Sequence, residues 1–118
     1  MNYSVECSAP TALTLTSRAC PDGTVIDLAG ELDMATADHL PDFVGALAPE
    51  DCRWVHLDLA GLDFIDAAGL SALVRARVRV EQRSGRMTVG RPGSLAGLLI
   101  ELTALPVTVV DHPVTTGG

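Results

Sequence analysis

From Leu13 the chain alternates apolar and polar residues through Thr14, Leu15 and Thr16, a period of two that predicts a half-buried strand. Pro21-Asp22-Gly23 is a turn signal, and the following TVIDLAG reads as a second strand, so the two are expected to form an antiparallel hairpin. Residues 1–10 carry no such pattern and are expected to be a loose lead-in. Beyond Gly30 the period changes. Leu40, Phe43, Val44 and Leu47 recur at helical spacing, with Asp33 or Thr36 as a possible cap and an end near Ala48. Pro41 would remove a backbone donor inside that helix, so the helix either starts late, with Asp38 as its cap, or bends there.

Pro49 to Asp51 breaks the chain, and RWVHLDLAG predicts a central strand. Val55, Leu57 and Leu59 fall on one of its faces, and Trp54, His56 and Asp58 on the other, which makes His56 a sheet-face residue rather than a ligand. Residues 69–83 carry two periods. Val74 to Glu81 alternate strictly, as a strand would; on a helix, Leu70, Leu73, Val74, Val78 and Val80 share one broad face. Arg75, Arg79 and Gln82 then lie opposite, and Arg77 and Glu81, four apart, can pair. The length of the segment and the strand-to-helix turn before it favour a helix, which makes the arginine series a solvated face and not an anion site. A turn at Gly85, a short strand over Met87 to Val89, a helix capped by Ser94 with Leu95, Leu98, Leu99 and Leu102 inward, and a final strand in PVTVV complete the pattern.

The order β-β-α-β-α-β-α-β predicts an α/β fold: a single domain over residues 11–111, with a small mixed sheet of about 4–5 strands flanked by about 3–4 helices and a flexible tail over 112–118. Helical connections make the later strands parallel, and sites in such sheets lie beyond the carboxyl ends of the strands. Two loops meet that description, Gly30 to Thr36 and Gly61 to Ser71.

Composition narrows the function. With 118 residues, 47% of them hydrophobic, there is material for one core, and with aromatics at 3% it must be built from Val, Leu, Ile and Ala. The net charge is −7 and all eight basic residues are arginine, which argues against nucleic-acid binding. No apolar run approaches the roughly 20 residues of a membrane helix, and the N-terminus lacks the basic-then-apolar pattern of a secretory signal. The expectation is a cytoplasmic protein without membrane insertion. Cys7, Cys20 and Cys52 are odd in number and widely spaced, as reduced thiols would be and a zinc site would not.

Tests for catalysis return little. The absence of lysine excludes a nucleotide-binding P-loop. It also counts against a phosphoryl-accepting receiver domain, as does the opening hairpin. GLDFIDAAG spaces its glycines too widely for a dinucleotide fingerprint. Ser71, His39, His56 and His112 are present, but no serine sits in an elbow motif. Asp58, Asp63 and Asp66 can be read as a metal site; the plainer reading has Asp66 capping the next helix and Asp63 closing a turn. Nothing points to an enzyme, a metal or a cofactor.

VIDLAGELDMATA followed by HLDLAGLDFIDAAGLSAL resembles the STAS domain, the family named for sulphate transporters and anti-sigma factor antagonists. Gly30, Glu31, Leu32, Asp33, Thr36 and Ala37 match its first block; Asp58, Leu59, Phe64, Ile65, Asp66, Gly69, Leu70 and Leu73 match its second. The resemblance implies a binding module whose partner is an anti-sigma factor, usually a serine kinase, and whose binding frees a sigma factor. It implies a partner face at Glu31, Asp33, Thr36, Asp63, Asp66, Ala67, Ala68, Gly69 and Leu70. In the family a kinase phosphorylates a Ser or Thr in a D-S-S-G loop. That acceptor aligns with Ala68 and its serine neighbour with Ala67, so the off-switch is lost at this position. Ser71 is the possible substitute acceptor, although helix geometry turns its side chain elsewhere. The resemblance also admits a stand-alone accessory subunit of an ABC transporter, of lipid-trafficking type, or a scaffold in a signalling assembly.

Overall fold

The hairpin sits at one side of the sheet. In the computed structural model, which describes residues 3–6, 13–21 and 23–110, Thr14–Cys20 (β2) runs antiparallel to Gly23–Leu32 (β3), with Cys20 opposite Gly23. Tyr3–Glu6 (β1) adds an antiparallel strand to β2. The expected lead-in therefore supplies a sixth strand, too short for its periodicity to be read. The remaining strands, Trp54–Ile65 (β4), Arg86–Gly90 (β5) and Val109–Val110 (β6), add in parallel and in chain order. They are joined through His39–Gly45 (α1), Ala67–Glu81 (α2) and Gly93–Leu102 (α3). A 3₁₀ turn over Pro49–Cys52 occupies the expected break. Cys7, Asp22, His112 and the expected tail lie outside the described residues.

Leu15, Ile26, Leu28, Val55, Leu57, Leu59 and Val89 form one buried sheet face, packed with Leu40 and Val44 of α1 and Leu73, Ala76 and Val80 of α2. α1 starts late, after Asp38. Pro41 thus falls in its first turn, where backbone donors lack intrahelical acceptors anyway. Asp38 makes no side-chain capping bond; its carboxylate pairs with Arg75 of α2 at 2.9 Å. Arg79 reaches Asp42 at 3.8 Å, and Arg83 donates to the carbonyls of Gly45 (2.6 Å) and Leu47 at the end of α1. The arginine series, expected to be a solvated face, forms the half-exposed seam between α1 and α2. Arg77 pairs with Glu81 at 2.9 Å as its spacing implies.

Two burial expectations are corrected. Val78 is 46% exposed, and small Ala72 and Ala76 fill the buried face of α2 instead. In α3 the inward residues are Ala96 and Ile100; Leu95, Leu98 and Leu102 are exposed and Leu99 is half-buried. Apolar residues surround α3 on all sides, so periodicity cannot assign its face. Nor does Ser94 cap it: the helix follows Pro92, with no side-chain capping bond.

The other sheet face is polar. Arg18 bonds Asp27 at 2.9 Å, Asp58 bonds Arg91 at 2.6 Å, and buried His56 meets Thr88 Oγ1 through Nδ1 at 2.7 Å. Burial pushes the His56 imidazole below its ordinary value of 6.5, against an opposing pull from Asp58. The unfolded chain therefore takes up a proton near 6.5 that the folded state resists, and stability is lost as pH falls from that value toward the depressed one. Thermal melts between about pH 7 and pH 5 are expected to show this acid-side fall in wild type and a flatter profile in His56→Gln. An equal slope in the variant would assign the titration to another group.

Candidate functional site

The two signature blocks meet at the carboxyl ends of β3 and β4. Both strands run further than expected, pairing Glu31 with Phe64 and Leu32 with Ile65. Register shifts between Asp27 and Ala29, and between Gly30 and Glu31, absorb the extra residues of β4. Gly30 sits at the second shift with φ of 102°, a conformation that L side chains rarely adopt. At the first, Asp58 Oδ1 accepts from the Ala60 amide at 2.9 Å. Burial alone would raise the Asp58 carboxyl, but hydrogen bonds from Arg91 and Ala60 outweigh it and hold it below its ordinary 3.8. The acid inside the apolar run is thus used by the fold. The expected loop from Gly61 to Ser71 is strand as far as Ile65, a single linking residue at Asp66, and helix from Ala67. Asp63 lies exposed in the strand and closes no turn.

Asp66 joins the blocks. Its amide donates to Leu32 O at 3.3 Å, its Oδ1 accepts from Gly69 N at 2.9 Å and so caps α2, and its Oδ2 accepts from Met34 N at 3.2 Å. The capping role expected of it holds, and the same carboxylate also pins the turn after β3. Within that turn Asp33 Oδ1 accepts from the amides of Ala35 (3.0 Å) and Thr36 (3.2 Å). Thr36 is buried; its hydroxyl donates to Glu31 O at 2.7 Å and accepts from Asp33 N at 3.0 Å.

The nine expected partner-face residues therefore separate. Asp63 and Ala67 are exposed; Glu31, Asp33, Asp66 and Ala68 are half-buried; Thr36, Gly69 and Leu70 are buried and shape the site from beneath. Ser71 is exposed in the second turn of α2. Two residues outside the expected partner face stand at the centre. Met34 is 83% exposed and Phe64 44%, and with Asp33, Ala35 and Asp66 they line a shallow depression. The available signal was an apolar side chain at a polar turn, Asp33-Met34-Ala35.

This surface is acidic and apolar, with a helix start beside it, and holds no paired nucleophile and base. Among the described residues no three His, Cys, Asp or Glu converge as metal ligands, so Asp58, Asp63 and Asp66 are not gathered into such a site. No described helix is long and apolar enough to cross a membrane. Cys20 and Cys52 are free thiols.

A family model described as Mlab, STAS domain, matches residues 15–106. The chain is 28% identical over 101 residues to the anti-sigma-F factor antagonist RsfB of Mycobacterium tuberculosis, covering 86% of this chain and 82% of that protein. It is similar in structure to an anti-sigma factor antagonist from Mycobacterium paratuberculosis, with TM-score 0.71, 26% identity, and coverage of 86% of this chain and 90% of the other. Bacillus SpoIIAA in its phosphorylated form shares the fold, with TM-score 0.62, 19% identity, and coverage of 86% and 91%.

Proposed function

The chain belongs to the STAS domain family, and we propose that within it the protein is an anti-sigma factor antagonist. It acts in the cytoplasm by binding an anti-sigma factor, of serine-kinase type, and so releases a sigma factor. The observation that carries this reading is the Asp66 junction. One carboxylate holds the Met34 turn against the start of α2, presenting an acidic and apolar surface without catalytic groups. The similarity to RsfB and to the M. paratuberculosis antagonist supports the same reading. Docking uses Asp33, Asp63, Asp66 and Ala67 together with Met34 and Phe64, while Thr36, Gly69 and Leu70 hold their shape. With Ala68 in place of a hydroxyl residue, the antagonist is not switched off by phosphorylation there.

Asp63 offers a clean test, since its side chain is exposed on β4, whereas Asp33 is engaged by its own turn. The anti-sigma factor of the native cell is expected to bind wild type in calorimetry, and the complex to restore sigma-dependent transcription. Asp63→Arg is expected to bind at least tenfold more weakly, about 1.4 kcal/mol. Unchanged affinity in a folded variant would remove Asp63 from the interface; no sigma release by wild type would overturn the function. The resemblance of the two sequence blocks to the STAS family carries a second reading, an ABC-transporter accessory subunit. Its mark would be co-purification with a permease and ATPase and no effect on transcription.

A further inference from the structure

Phe64 lines two depressions: the one it shares with Met34, and a second that runs past Asp63 and Pro92 to Leu95 at the start of α3. From there Leu95, Leu98 and Leu102, at 53%, 52% and 72% exposure, follow one another at i, i+3 and i+7 and form a single stripe. The exposed apolar surface of the site thus continues from Met34 across Phe64 onto α3. The charges along it are of one sign. Asp33, Asp63 and Asp66 line the two depressions, and no arginine does.

We propose that the α3 stripe is the second half of the partner-docking surface, and that its occupant is a basic, apolar-faced segment of the anti-sigma factor. The segment lays its apolar side chains along Phe64, Leu95, Leu98 and Leu102 and its Arg or Lys side chains over Asp33, Asp63 and Asp66. This rests on the proposed function and names the kind of surface the partner must bring. Charge selects among occupants. A second copy of this chain, itself at −7, would set acids against acids, and an anionic lipid surface or nucleic acid would do the same.

The test places a photo-crosslinking amino acid at Leu98, and in a second variant at Phe64, in the full chain within its native cell. The anti-sigma factor recovered through Phe64 is then purified and titrated with a Leu98→Ser/Leu102→Ser double variant, whose folding is checked by circular dichroism. Both positions are expected to capture the same basic, apolar segment of one anti-sigma factor, and the double variant to bind it at least tenfold more weakly. Capture through Phe64 alone, with unchanged affinity of the double variant, would overturn the α3 inference and leave the proposed function standing. Capture of a second copy at Leu98 would overturn it in favour of self-association. Failure of both positions to capture an anti-sigma factor would overturn the inference together with the function it rests on.

Discussion

Gly69→Ala is expected to lower the melting temperature by roughly 10 °C, corresponding to about 3 kcal/mol in a domain of this size. A Cβ at this position would stand 2.1 Å from the carbonyl oxygen of Leu32 and 2.7 Å from Ile65 Cγ1. The first obstacle is backbone, and it is the same Leu32 carbonyl that accepts from the Asp66 amide. Neither side can yield without opening the junction of β3 with α2. The Gly69 amide also supplies the bond that lets Asp66 cap the helix, so retreat of the first turn would loosen the cap as well. Ala67→Ser, on the exposed side of the same turn, is expected to shift the melt by no more than about 2 °C. Differential scanning calorimetry on the two variants separates a close-approach requirement at Gly69 from a general sensitivity of the helix start. Equal melting temperatures would show that the junction can widen.

Much of the fold was legible wherever an element carried one clear period. The Leu13–Leu15 alternation, the Pro21–Gly23 turn and the buried face of β4 each announced a strand or its end. α2 was harder, since Val74 to Glu81 fits both periods. The Arg77–Glu81 pair, possible only on a helix, is present. The failures share a cause. α3 is apolar all round, so its buried face is chosen by β4, against which it packs, and by Ala96, whose small side chain lets it approach. Tyr3–Glu6 is too short to show a pattern, and its pairing with β2 is tertiary.

At the site, motif residues were legible and their division of labour was not. Thr36, Gly69 and Leu70 match the family blocks, yet they are buried: Thr36 and Gly69 work through backbone contacts that no linear pattern reveals, and Leu70 packs into the core. The continuation of β4 through Gly61, Leu62 and Asp63 depends on register shifts against β3, and those depend on the strand pairing itself. Met34 and Phe64 gain meaning only once Asp66 brings their two segments together.

On the proposed function, Ala68→Ser is expected to create a phosphorylation switch at the start of α2. Ala68 is the second residue of α2, half-buried against the edge of the core, and serine there adds one hydroxyl at a helix start whose amides and dipole tolerate an anion. Incubated with the cognate anti-sigma kinase and ATP, wild type should keep its mass and Ala68→Ser should gain one phosphate. The phosphate would bring about −1.5 to −2 charges two residues from Asp66, whose carboxylate already holds the Gly69 and Met34 amides. Competition for the helix amides, together with repulsion of that carboxylate, would release the Met34 turn and reshape the docking surface. Affinity for the kinase should then fall about a hundredfold, ~2.7 kcal/mol. Mass spectrometry and titration read the two effects separately. A phosphate on wild type at Ser71, which is exposed, would mean that the switch has moved along α2 and that the protein is not constitutive. At Thr36 the hydroxyl is buried and engaged by Glu31 and Asp33, so modification there would require the turn to open first. An unmodified Ala68→Ser protein would show that the partner is no kinase and would shift the balance to the transporter reading.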